Sequence, residues 1–302
     1  MHSDTLYRNE QRSSKLELDV DADIIESMTD NELTQLDNQI APIHPDSNIF
    51  YNSINIALGK QGTGKTFYFF REILKLDKLG THHMLIYVTN NGTNDQTYQM
   101  FKPKLSIPIL IVSYDEVLET LRGLKSYKHL YNQIIDDGLI KNIDPDQREA
   151  LFDALHVSDF SRRRLHTLVL YDDVAFEEQF KKHESPLNKL MFECRHINVS
   201  FMLCTQKLQG ISTPVKSQAT SITIFAGYPP VEIAQIHRSI QTNTDYQEFK
   251  QMLCQLEPNS CLHINIKMGD MKVINLQHIN TVINRLKQKK TSLKLKNVDS
   301  PW

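Results

Sequence analysis

The sequence predicts an α/β protein built on a mostly parallel sheet with helices covering it. Two observations predict this. Short apolar runs alternate along the chain with segments of helical spacing, the pattern of strands buried on both faces. A glycine-rich loop joins the first of those runs to the first helical segment, giving a strand–loop–helix unit. The 302 residues are 40% hydrophobic and 23% charged, which excludes a wholly disordered or collagen-like chain.

The elements follow in order. Ile54–Leu58 (INIAL) is a short apolar run and reads as a buried strand. Residues 67–79 carry helical spacing. Residues 84–90 (MLIYVTN) and 107–114 (IPILIVSY) read as strands, and DEVLETLRGL from Asp115 as a helix. The span 127–164 reads as helical with a break near Pro145. Residues 166–173 (HTLVLYDD) form the next strand. A helix over 185–195 opens at Ser185-Pro186, where proline suits the first helical position. Residues 199–206 and 221–227 are further strands, and 229–240 a helix. Residues 261–267 and 272–276 pair as a hairpin across 268–271.

The most specific signal is the run Gly59, Lys60, Gln61, Gly62, Thr63, Gly64, Lys65 and Thr66. It satisfies G-x-x-x-x-G-K-[ST], a pattern expected by chance in roughly 1% of chains this long at average residue frequencies. Glycines allow a tight loop whose backbone N–H groups turn inward and, with the helix N-terminus, surround phosphate oxygens. Lys65 would neutralise the β- and γ-phosphates, and Thr66 would offer its hydroxyl to Mg²⁺.

The strand at 166–173 ends in two acids, Asp172 and Asp173, where ligands sit in open parallel sheets. Asp172 suits a metal-holding role. Asp173, one residue further, suits the orientation and activation of a water. Gln206 ends the strand at 199–206, and its amide offers both a donor and an acceptor to a water and a γ-phosphate. Arg195 closes the helix between these two strands. Met191 stands four residues before it, so no acid there pairs with it, and it is a candidate arginine finger for a neighbouring subunit.

GKQGTGKT at 59–66, LVLYDDV at 168–174, ECRHINVSFMLCTQ at 193–206 and SITIF at 221–225 together resemble the FtsK–HerA superfamily of P-loop translocases. More narrowly they resemble the genome-packaging ATPases of large double-stranded DNA viruses and virophages, including the poxvirus packaging ATPase. The likeness spans residues 50–240. It implies a RecA-like P-loop NTPase core, ATP as substrate with Mg²⁺, and a homo-oligomeric ring, hexameric or pentameric, acting on double-stranded DNA. It implies capsid or portal-region proteins as further partners, and a place in the host-cell cytoplasm, the viral factory or the virion. It assigns Lys65 and Thr66 to phosphate and magnesium, Asp172 to the metal, Asp173 to the water and Gln206 to sensing nucleotide state. Arg195 matches the viral Arg-His motif. Many cellular relatives carry Glu where this chain has Asp173.

Three segments are expected: an acidic arm at 1–46, the ATPase domain at 47–280 and a basic tail at 281–302. The arm has eleven acidic side chains against three basic ones, and the tail contains RLKQKKTSLKLK, with six basic residues and no acid. Arg162, Arg163 and Arg164 form a third basic cluster. No membrane span is expected, since no run approaches 18 apolar residues. The first residues lack the apolar core of a secretory leader. Four dispersed cysteines with no CxxC pair suggest neither disulfides nor structural zinc. Two other readings are a P-loop small-molecule kinase and a non-motor nucleotide-dependent binding module. The first would bring an arginine-rich lid, which the sequence does not display. A small GTPase would need N-K-x-D and an ABC ATPase LSGGQ, and both are absent.

Overall fold

The structure is a computed structural model that describes residues 50–160, 164–174, 177–240, 242–258 and 260–275. The acidic arm, the basic tail, Arg162 and Arg163 lie outside the described residues. The described strands are β1 (Ile54–Leu58), β2 (Met84–Val88), β3 (Ile109–Val112), β4 (Thr167–Tyr171), β5 (Val199–Thr205), β6 (Ser221–Phe225), β7 (Ser260–Asn265) and β8 (Asp270–Asn275). The described helices are α1 (Lys65–Lys78), α2 (Gln96–Phe101), α3 (Val117–Asp136), α4 (Pro145–Leu155), α5 (Glu178–Lys181), α6 (Pro186–Arg195), α7 (Thr213–Ser217), α8 (Pro230–Ser239) and α9 (Tyr246–Cys254).

One eight-stranded sheet has the order β3-β2-β4-β5-β1-β6-β7-β8. The first six in that order run parallel, while β7 and β8 form the antiparallel hairpin at one side. All residues of β1, β2, β4, β5 and β6 are buried, as strands covered on both faces must be. β3, outermost among the parallel strands, is only partly covered. The core is aliphatic and aromatic. Each fully buried Phe or Leu in it contributes roughly 1.5–3 kcal/mol over an exposed one.

Strand register decides which loops meet. Leu58 pairs with Thr205 and Ile224, and Val88 pairs with Tyr171. The segments that leave β1, β2, β4, β5 and β6 therefore emerge at one end of the sheet. This end carries the glycine-rich loop, both acids and Gln206.

Several elements depart from the sequence reading. α1 begins at Lys65 rather than at residue 67, because the loop runs directly into the helix. α3 continues unbroken through Gly123 to Asp136. Pro145 does not interrupt a long helix but opens α4, where the Asp144 carboxylate accepts from the N–H groups of Asp146 at 3.0 Å and Gln147 at 3.3 Å. α4 stops at Leu155, with His156 left-handed at φ 52°, so the helix does not reach residue 164. α2 and α9 were not anticipated. Each starts at an aspartate cap: Asp95 accepts from Tyr98 N–H at 2.7 Å, and Asp245 from Gln247 N–H at 2.8 Å.

The opposite end of the sheet is sealed by polar groups. Lys128, on α3, is buried and donates to Leu165 O at 2.6 Å, Thr167 Oγ1 at 3.0 Å and Asn198 O at 3.0 Å. It thereby ties α3 to the starts of β4 and β5.

Candidate active site

The loop between β1 and α1 has little steric freedom. A Cβ on Gly59 would stand 2.4 Å from Thr63 Oγ1 and 2.9 Å from Phe225 Cβ, so only glycine fits where the loop passes over β6. Gly64 is left-handed at φ 94° and turns the chain into α1. It has no side chain with which to cap the first-turn N–H groups, so these face outward as an anion site. Thr63 Oγ1 donates to Lys60 O at 2.8 Å and braces the loop. The Lys65 ammonium donates to Gly59 O at 2.8 Å and Lys60 O at 3.0 Å, which holds the cation inside the loop where phosphate oxygens would gather.

Thr66, the second residue of α1, donates its hydroxyl to Asp172 Oδ1 at 2.7 Å, and Tyr87 of β2 donates to Oδ2 at 3.3 Å. Burial pushes the Asp172 carboxyl above the usual range, and the hydrogen bonds from Thr66 and Tyr87 oppose that shift. Nearby Asp95 and Asp173 add to it. Thr66, in the first turn of α1, and Asp172, just after β4, form a small, oxygen-only donor set, which suits a hard divalent cation such as Mg²⁺.

Asp173 follows with φ 67°, a left-handed conformation uncommon for a residue with a side chain. Its Oδ2 accepts from Gln206 Nε2 at 2.6 Å. Gln206 O in turn accepts from Tyr228 OH at 3.0 Å, and the Tyr228 ring lies under Lys60 Nζ at 5.8 Å. Tyr114, just beyond β3, donates to the backbone carbonyls of Asp172 and of Asp173, the latter at 3.0 Å.

The structure thus brings to one end of the sheet three segments far apart in sequence: Lys65 and Thr66, Asp172 and Asp173, and Gln206. It does not bring Arg195 to them. Arg195 ends α6, before β5 begins, with Nε donating to Asn52 O at 3.1 Å and Nη1 to Gln218 Oε1 at 3.0 Å. That is the N-terminal end of the sheet. At the usual rise per residue, the length of β5 puts about 20 Å between it and Gln206. A role for Arg195 at its own subunit's phosphates is excluded. Sequence reasoning missed Tyr87, Tyr114 and Tyr228. A buried tyrosine hydroxyl needs a partner, but nothing in the sequence says which.

Fold and site together define a P-loop NTPase core with a RecA-like sheet. A family model described as Poxvirus A32 protein matches residues 147–266, the stretch from α4 through β7 that holds Asp172, Asp173, Arg195 and Gln206. This match bears out the likeness to the poxvirus packaging ATPase read from the motifs. Among curated protein sequences nothing matches significantly. Among solved structures, EssC (ATPases 2 and 3) from Geobacillus thermodenitrificans is 12% identical, with a TM-score of 0.50 over 80% of this chain and 44% of that one, and shares the fold. B204, the DNA-packaging ATPase from Sulfolobus Turreted Icosahedral Virus, is 15% identical with a TM-score of 0.48 over 74% of this chain and 96% of that one. The pCW3 conjugation coupling protein TcpA with ATPγS is 11% identical, with a TM-score of 0.48 over 78% of this chain and 66% of that one.

Proposed function

We propose that this chain is an ATP-hydrolysing motor subunit that moves double-stranded DNA, and that its task is to package a viral genome into a preformed capsid. The observation that carries the hydrolytic part is the meeting of the loop lysine, the paired acids and Gln206 at one end of the sheet. The family match over residues 147–266 supports the packaging part.

In this reading the loop N–H groups and Lys65 bind the β- and γ-phosphates, and stabilise charge as it develops on the transferring group. Thr66 and Asp172 would hold Mg²⁺, which neutralises phosphate charge. Asp173 orients the attacking water and accepts its proton. Gln206 lies within hydrogen-bond reach of Asp173, so its amide can follow the state of that carboxylate and pass it along β5. The test is ATP turnover with and without duplex DNA, together with an assay for phosphorylation of small acceptors. DNA-stimulated release of phosphate is expected. Transfer to an acceptor, indifferent to DNA, would support a kinase instead.

The ring is part of the proposal. Arg195 lies at the opposite sheet end from its own site, so any action at a phosphate would be on a neighbouring subunit's. Arg195→Ala and Asp173→Asn subunits, each inactive alone, should then regain part of their turnover when mixed. Mixed rings that form and stay inactive would remove Arg195 from catalysis. The ring would be a pentamer or hexamer, with capsid or portal-region proteins as docking partners. The place of action is the host-cell cytoplasm or viral factory, with association with the virion. None of the described helices is long and apolar enough to cross a membrane.

A further inference from the structure

Asp173 is asked to hold a carboxylate in place from an unfavourable backbone. It follows β4 with φ 67°, a left-handed conformation that aspartate adopts more readily than most residues but still at a cost. The two carbonyls that flank its α-carbon face one common neighbour. Tyr114 uses that geometry, since its hydroxyl donates to the carbonyls of both Asp172 and Asp173. These belong to the peptides on either side of the Asp173 α-carbon. The tyrosine ring is anchored beside Tyr171, with centroids 6.3 Å apart, and its backbone is fixed between β3 and α3. On the far side, Gln206 takes the Asp173 carboxylate at 2.6 Å. Asp173 is thus held from both directions, by its backbone from β3 and by its side chain from β5.

We propose that Tyr114 is a positioning residue for Asp173, holding through its hydroxyl the left-handed turn that presents the carboxylate to the attacking water. This rests on the reading of Asp173 as the water-orienting acid. Tyr114 touches no substrate atom in this account and acts only through the conformation of residue 173. The hydroxyl reaches from the end of β3 past β2 to the end of β4, so movement of the segment between β3 and α3 would be felt at the catalytic acid.

The test is Tyr114→Phe, which keeps the ring and removes the hydroxyl. Labelled-ATP binding should match the wild type, while kcat falls about 10- to 100-fold, the usual consequence of a catalytic group displaced by a fraction of its working distance. Tyr171→Phe is the control. It removes a buried hydroxyl of β4 that has no hydrogen-bond partner among the described residues, and should leave kcat unchanged. The double variant Tyr114→Phe/Asp173→Asn should be no slower than Asp173→Asn alone, because the two residues act as one unit. Normal kcat in Tyr114→Phe would overturn the proposal while leaving the ATPase reading intact. So would parallel loss of binding and turnover, which would assign Tyr114 to packing. A further loss in the double variant would give Tyr114 a separate role and also overturn it. Absence of ATP turnover in the wild-type protein, with and without duplex DNA, would overturn the ATPase reading and this proposal together.

Discussion

At the C-terminal end of the sheet, the site's polar side chains bond to one another, Thr66 to Asp172 and Gln206 to Asp173, while Lys65 holds carbonyls of the phosphate loop itself. At the N-terminal end polar side chains bond mainly to the backbone: Lys128 to Leu165 O and Asn198 O, Arg195 to Asn52 O, His83 to His166 O. Both ends bury charge-bearing groups, so burial alone does not mark a catalytic site. What the groups face does. Side chains that face one another around a loop of open N–H groups can exchange those partners for a ligand. Side chains that satisfy carbonyls at strand starts are fixed in place, and removing them leaves buried acceptors unpaired.

The comparison breaks most visibly at Lys65. Lys65→Ala should lower ATP turnover roughly 10²- to 10³-fold, the scale expected for one preorganised charge partner, with a melting temperature close to wild type. Lys128→Met should do the reverse. It should cost about 1–3 kcal/mol for the acceptors left unsatisfied, lowering Tm by several degrees, and leave turnover per folded subunit near normal. Equal thermal losses in both variants would erase the distinction between the two ends.

A smaller effect concerns pH. Burial and the nearby Lys128 push His83 down to about 3 and His166 down to about 4. Both are held neutral in the folded protein, whereas the unfolded chain takes up protons below about pH 6.5. The unfolded state then binds more protons, so stability should fall as pH drops from about 6.5 towards 4. Denaturant midpoints measured across that range check this. A midpoint that stays flat would mean that these histidines are protonated in the folded state.

How much of this was legible in the sequence follows the same division. The C-terminal end was readable because its chemistry is local. The loop from Gly59 to Thr66 is continuous, and Asp172, Asp173 and Gln206 each directly follow an apolar run. The strand order was not readable, because pairing of β1 with β5 and β6 depends on contacts far apart in sequence. α2 and α9 are short, and their aspartate caps looked like ordinary loop residues. Arg195 shows the limit most clearly. Its place on a helix between two site-bearing strands was correct, but only the direction of those strands shows that it stands at the far end of the sheet. Tyr114 was hidden for a related reason, since its partners are backbone carbonyls, which every sequence supplies.

The most direct test of the central claim, that the C-terminal sheet end is an ATP-hydrolysing centre with Asp173 as its water-orienting acid, is steady-state ATP turnover by Asp173→Asn alongside titration of labelled ATP. The account predicts wild-type binding with turnover reduced about 10²- to 10⁴-fold, the range for loss of a positioned acid–base group. Turnover near the wild-type rate would contradict it.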